Sequence, residues 1–115
     1  MSSVHEEESS DLVFKALADG TRRSVVDALR RGPRTTGELC AEHPEMTRFG
    51  VMSHLKVLEE AGLIFVSRRG RERFNYLNPV PIRKIYHRWI KPYAEDLADE
   101  LIALKKSAEK GGRHG

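Results

Sequence analysis

The residues best suited to chemistry in this 115-residue chain are arginines, and four of them lie within six positions, on either side of Gly70. Guanidinium groups bind phosphate oxygens through paired hydrogen bonds, so such a cluster suits a nucleic acid. The alternative is a solvated turn that contacts only water. We expect a hairpin whose tip contacts DNA phosphates or the flanking minor groove. The predicted contacts are Arg68, Arg69, Arg71 and Arg73.

A second set of candidate residues begins at Thr47, a residue type that caps helix N-termini. Val51, Leu55 and Leu58 follow at helical spacing, so they predict a helix with one buried face. The first turns of such a helix fit the major groove of DNA, where side chains contact base edges. The predicted contacts are Thr47, Arg48, Phe49, Gly50, Met52, Ser53, His54 and Lys56.

A short helix is predicted immediately before this one. Thr35 or Thr36 caps it, and it covers about 36–43 before Pro44 closes it. Both threonines could offer hydroxyl or backbone N–H groups to a phosphate at the helix N-terminus. A short helix, a tight turn and a second capped helix form a helix-turn-helix arrangement.

The other predicted elements surround this pair. Two helices precede it, over about 10–18 and from Asp19 to about 31. Strands are predicted over 63–66 and 73–77 because β-branched and aromatic residues are concentrated there. The pattern therefore predicts a mainly α fold with a β-hairpin wing, a winged helix-turn-helix.

A long last helix starts near Pro81, and Pro92 should kink it or split it in two. Its apolar residues recur at a spacing of three to four for more than twenty positions, which is more than a core of this size can cover. We therefore predict a homodimer formed through the terminal helices. The predicted dimer contacts are Leu12, Phe14, Ile85, Trp89, Tyr93, Leu97, Leu101 and Leu104.

Composition limits the class of protein. Hydrophobic residues make up 39% of the chain and the net charge is +3, which fits one small domain, assigned to 10–107 between disordered ends at 1–9 and 108–115. The longest apolar run is too short to cross a membrane, and the acidic start is unlike a secretion signal. One cysteine and the absence of nucleotide-binding or hydrolase motifs favour a cytoplasmic protein that is not an enzyme.

The segments FKALADGTRRSVVDALRRG, TTGELCAEHP and TRFGVMSHLKVLEEAGLI together resemble the ArsR/SmtB family of bacterial winged-helix repressors. The resemblance covers about residues 12–78, including the basic hairpin that ends near Tyr76. It implies a homodimer that binds an inverted-repeat operator in double-stranded DNA and represses its own or adjacent genes. It identifies neither the operator nor any small-molecule inducer, and an activator remains an alternative.

Two positions depart from the family pattern. Met52 stands where many members carry Ser or Thr, which alters the presumed base-contacting surface. Metal-sensing members carry a Cys-x-Cys pair in the third helix, whereas this chain has Cys40 and then Glu42. The resemblance is therefore to the members that do not sense metal, and we expect no metal and no cofactor.

Several alternatives remain open at this point. The chain could be a metal- or thiol-responsive repressor that uses Cys40, or a winged-helix protein-interaction module that does not bind DNA. Phe49 could be a core residue instead of a DNA contact. Arg22 could pair with Glu59 or Glu60, or it could contact a phosphate.

Overall fold

The computed structural model describes the backbone of residues 2–114 and the side chains of residues 7–110. The chain forms two compact units, the first ending at Ile82 and the second beginning at Arg83. The helices are α1 (Ser2–Leu17), α2 (Gly20–Arg30), α3 (Thr36–Glu42), α4 (Arg48–Glu60), α5 (Val80–Ile85) and α6 (Ala98–His114). The strands are β1 (Arg34–Thr35), β2 (Ile64–Arg69) and β3 (Glu72–Leu77). The fold is the predicted one, mainly α with a β-hairpin wing.

Side-chain caps begin α2, α3 and α4, at the residues that the sequence predicted. Asp19 accepts hydrogen bonds from the backbone N–H groups of Thr21 (2.8 Å) and Arg22 (3.1 Å) at the start of α2. Thr35 and Glu38 form a reciprocal capping box on α3. Thr47 accepts a bond of 3.0 Å from the Gly50 N–H at the start of α4. These caps set where each helix begins.

The end of α4 leads directly into the hairpin. Gly62 has a φ of +74° and terminates the helix, while the Leu63 N–H donates back to the Leu58 carbonyl at 3.0 Å. The strands are longer than predicted, because Arg69 pairs with Glu72 and leaves Gly70 and Arg71 as the turn. Gly70 has a φ of +63°, which glycine adopts without steric cost.

The hairpin is part of a three-stranded antiparallel sheet in the order β1-β3-β2. The two-residue strand β1 was not predicted, because so short a segment has no periodicity. Asn75 of β3 is fully buried, and its Nδ2 donates to the Arg34 carbonyl (3.2 Å) and to Thr36 Oγ1 (3.1 Å). This amide therefore joins β1, α3 and β3.

Replacing Thr36 by valine should destabilise the protein, because it removes one of the two acceptors of the buried Asn75 amide. We expect the free energy of unfolding to fall by about 1–2 kcal/mol in a denaturant titration. Thr21→Val is the matched control, since no hydroxyl bond from Thr21 to a described residue is present. An equal loss in both variants would contradict the role assigned to Thr36.

A second stability prediction concerns pH. Hydrogen bonds from the backbone, above all from the Arg22 N–H, lower the pKa of Asp19 from its usual 3.8. The ionised cap therefore contributes stability above pH 3.8, and this contribution is lost as the pH falls through the lowered pKa. Asp19→Asn should lower the melting temperature at pH 7 and much less at pH 3. Asp27→Asn, which changes the same charge on α2 away from the cap, should show no such trend.

The apolar core of the first unit lies between its helices and the inner face of the sheet. Leu39, Leu55, Leu58 and Leu63 are fully buried, and Val25 and Val51 are nearly so. The buried residues of α4 recur at the predicted spacing, so the opposite face of that helix is directed to solvent.

In the second unit the helical hydrogen bonding changes around Pro92. Two π-helical segments, Tyr86–Ile90 and Pro92–Leu97, follow α5 and lead into α6. The predicted interruption is thus a change of helix type, because Pro92 has no N–H to donate and the neighbouring turns widen. The Tyr86 hydroxyl bonds the Glu95 carboxylate at 2.7 Å, which raises the pKa of Tyr86.

Helices extend into both ends that were predicted to be disordered, since α1 begins at Ser2 and α6 continues to His114. A polar composition disfavours burial but does not prevent helical hydrogen bonding. Met1 and Gly115 lie outside the described residues. The domain limits of 10–107 stay a prediction.

Candidate nucleic-acid interface

The solvent-facing side of α4 is fixed by the burial of the other side. Arg48, Phe49, Ser53 and Lys56 are exposed and share this surface, which we call the recognition face. These four side chains are two cations, one hydroxyl and one aromatic ring, and the exposed carboxylates of α4, Glu59 and Glu60, follow them in the last turn. Such a surface can bind phosphates and contact base edges.

Three further predicted contacts border the recognition face. Thr47 is exposed, but its hydroxyl already caps α4. Gly50 and Met52 are half-buried. A Cβ atom at Gly50 would lie 3.3 Å from Met46 Cε and 3.4 Å from Thr47 Oγ1, so a larger residue would crowd the first turn.

The wing, comprising β2, β3 and the turn Gly70–Arg71, presents Arg68, Arg69 and Arg71 to solvent. Among the side chains of residues 7–110, none of these arginines forms an ion pair. The guanidinium of Arg69 lies over the Phe74 ring, 5.6 Å from its centroid, which restricts its movement. We call these three residues the wing arginines.

Arg73 was predicted to contact DNA, but it differs from the wing arginines. Its side chain is half-buried and its Nη2 donates to Glu59 Oε1 at 3.2 Å. This ion pair joins β3 to α4, and the positive charge of Arg73 is balanced by the Glu59 carboxylate. The prediction for Arg73 is corrected accordingly, and Glu59 has Arg73 as its partner in place of the suggested Arg22.

His54 was also predicted as a DNA contact, and the structure gives it an internal partner. Arg22 Nη1 lies 3.1 Å from His54 Nδ1, and arginine can only donate, so Nδ1 accepts. Arg22 also donates to the carbonyls of Ala16 (2.8 Å) and Lys15 (3.0 Å) at the end of α1. His54 therefore joins α4 to α1 and α2. No local pattern revealed this role of Arg22, which is 32 residues from His54.

The two threonines of α3 have different environments. Thr35 is half-buried and belongs to the capping box, in which its backbone N–H donates to Glu38 and lowers the pKa of that carboxyl group. Thr36 is only 1% exposed, and its hydroxyl bonds Asn75 and the Arg73 carbonyl. The predicted phosphate contact of Thr36 is therefore wrong, because its hydroxyl lies in the core.

Seven of the eight predicted dimer contacts are exposed in the single chain. Ile85 is the exception: it is 4% exposed and already buried within the protomer. Its assignment is corrected because an interface needs accessible apolar surface. The exposed ones are Leu12, Phe14, Trp89, Tyr93, Leu97, Leu101 and Leu104.

Cys40 is half-buried on α3. Among the described residues, no group of three or more His, Cys, Asp or Glu side chains is arranged to hold a metal ion. No helix in that part of the chain is both long enough and apolar enough to cross a membrane.

Comparison with known proteins agrees with this geometry. Residues 17–66, which cover α2 to α4 and the start of β2, match a family model described as a helix-turn-helix domain. HTH-type transcriptional regulator Rv2034 of Mycobacterium tuberculosis is 44% identical over 71 residues, 62% of this chain and 65% of the relative. Transcriptional repressor SdpR of Bacillus subtilis is 38% identical over 66 residues, 57% of this chain and 72% of the relative. The aligned part is thus less than two thirds of the mycobacterial protein.

The fold and these matches define the class, a winged helix-turn-helix transcriptional regulator with a DNA-binding domain. The crystal structure of an ArsR family transcriptional regulator superimposes with a TM-score of 0.66 at 32% identity, covering 86% of this chain and 93% of that one. The chain belongs to the ArsR family of transcriptional regulators.

Proposed function

We propose that the chain is a homodimeric repressor that binds an inverted-repeat operator in double-stranded DNA, through the recognition face of α4 and the wing arginines. The observation that carries the proposal is the charge on these surfaces. Arg48 and Lys56 on α4 and the three wing arginines are exposed and have no carboxylate partner among the described side chains. Unpaired arginines on a winged helix-turn-helix suit phosphate binding.

The positions of α4 and the wing relative to each other support this role. The Arg73–Glu59 ion pair and the short connection through Gly62 attach the wing to the end of α4. An α-helix fits the major groove, and a basic hairpin beside it can contact the adjacent backbone. Repression is the activity named for the Bacillus subtilis relative, and we extend it to this chain.

The homodimer is proposed from the second unit. Leu97 is 53% exposed and Leu101 is 62% exposed, so a second copy of the chain could cover them. Two copies would place two recognition helices on half-sites about 34 Å apart, one turn of DNA. An operator with inverted symmetry follows from the twofold axis of such a dimer.

The test is selection of bound sequences from a random duplex library, followed by affinity measurement at several salt concentrations. We expect an inverted repeat to be enriched, and the logarithm of the association constant to fall linearly with the logarithm of salt concentration, by about 0.9 per phosphate contact. Failure to enrich any sequence at low salt would overturn the proposal and favour a protein-interaction module. Transcription from a promoter containing the selected repeat should decrease when the protein is added.

A further inference from the structure

Phe49 is the most exposed large apolar side chain described, at 82%. It extends from the first turn of α4, and no described aromatic ring stacks on it. The suggestion that it is a core residue is therefore wrong. The ring remains available to a partner, and covering it would bury apolar surface, which is favourable. We therefore ask which partner could cover it.

The ring is held where it can enter a groove. Thr47 fixes the start of the helix and Val51, which is buried, fixes its rotation. Gly50 beside it has no side chain, and Ser53, one turn later, is short. The ring is therefore exposed, and the first turn of α4 that carries it is fixed by the Thr47 cap and by buried Val51.

The charges around Phe49 indicate which kind of partner could cover the ring. Arg48 and Lys56 are exposed on the same face, and α4 has no carboxylate before its last two residues, Glu59 and Glu60. A partner with many negative charges and a few apolar groups complements this surface better than the apolar groove of a protein. Double-stranded DNA has this composition.

In the major groove the apolar group on a base edge is the C5-methyl of thymine, and the other groups are hydrogen-bond donors or acceptors. A phenylalanine ring can neither donate nor accept such bonds. We infer that Phe49 is a specificity-determining residue that contacts a pyrimidine C5-methyl group, that of a thymine, in each operator half-site. This inference rests on the proposed function of α4 as the recognition helix.

The experiment removes single methyl groups from the DNA. Each dT of the selected operator is replaced by deoxyuridine, which keeps the hydrogen bonds and lacks the methyl. For the full-length wild-type protein, we expect one thymine per half-site at which this change weakens binding about fourfold, the value of one buried methyl group. In Phe49→Ala, binding should be weaker and the same change should have no effect.

Two variants serve as controls. Phe49→Leu, which keeps an apolar side chain, should retain part of the fourfold effect. Phe65→Ala removes another exposed ring from outside α4 and should retain all of it. Phe49→Ala should keep the wild-type melting temperature, since the ring contributes little to the core.

Other results would overturn the inference. If a specific operator is selected but no deoxyuridine substitution matters, or if the effect persists in Phe49→Ala, Phe49 does not contact a thymine methyl and the proposed function stands. A methyl dependence found only with 5-methylcytosine in place of cytosine, and at no thymine, would overturn the thymine assignment. Failure to select any DNA would overturn both the inference and the proposed function.

Discussion

Replacing Leu97 and Leu101 by glutamine should give a monomer whose affinity for the full operator is about 10²–10⁴-fold lower than that of the wild type. Both leucines are more than half exposed in the single chain, so the change should not unfold the protomer. Burying such a side chain contributes about 1.5–3 kcal/mol, and a dimer would lose four of them. Glutamine is a good helix former, which keeps the helix itself intact.

Analytical ultracentrifugation measures the oligomeric state, and fluorescence anisotropy with labelled DNA measures affinity for the full operator and for one half-site. The variant should bind both DNAs with similar, weak affinity, because only one recognition helix contacts the DNA. The matched control replaces Asp99 and Lys106 by glutamine. Asp99 lies about 200° and Lys106 about 140° around the helix from Leu101, so both are on the opposite side, about two turns apart. Replacing one acid and one base also leaves the net charge unchanged.

A wild type that remains monomeric at micromolar concentration, or a leucine variant that remains dimeric, would contradict the assigned interface. An equal loss in the control pair would show that the effect is not specific to the apolar face. In either case the role of α4 in DNA binding would still be testable on a single half-site.

Removing two of the wing arginines, Arg69→Ala with Arg71→Ala, is expected to weaken DNA binding about a hundredfold. A hydrogen bond to a charged group contributes about 1.5 kcal/mol, and each 1.4 kcal/mol corresponds to a factor of ten. Phosphate contacts do not depend on base sequence, so the loss should be similar for specific and unrelated DNA. The slope of affinity against salt concentration should decrease by about two units.

Arg30→Ala with Arg31→Ala is the control for this experiment, since both residues are exposed at the end of α2 and the net charge changes equally. These two substitutions should weaken DNA binding only slightly, because they reduce the long-range electrostatic attraction between the protein and DNA. Equal losses in the two pairs would mean that net charge, and not the wing, is responsible. Full DNA binding by the wing variant would show that Arg69 and Arg71 do not contact the DNA.

The elements that carry the candidate site could be predicted because their determinants are local. Thr47 caps α4 from three residues away, and Val51 and Leu55 are one turn apart, so both are visible in a short window. Gly62 and Gly70 mark positions where the backbone needs a positive φ. The resemblance to the ArsR/SmtB family depended on these same segments, and the comparisons confirm it.

The errors arose where a side chain had a partner distant in sequence. Thr36 bonds Asn75, 39 residues away, and Arg73 bonds Glu59, 14 residues away. Both were predicted to contact DNA from residue type and local position, Thr36 at a helix N-terminus and Arg73 in the arginine cluster of the hairpin. A hydroxyl or guanidinium group is equally suited to a phosphate and to a buried amide or carboxylate, so residue type does not distinguish a surface contact from a core contact.

By itself, the sequence determined the order of helices and hairpin, the face of α4 that is buried, and the basic character of the wing. Hydrophobic periodicity, caps and turn residues act over a few positions, and that is why these features follow from the chain alone. Tertiary structure decided which side chains remain free: it buried Thr36, paired Arg73 with Glu59 and Arg22 with His54, and left Phe49 exposed. Such outcomes depend on the packing of elements against one another, because a polar group pairs with whatever the fold brings within hydrogen-bond distance.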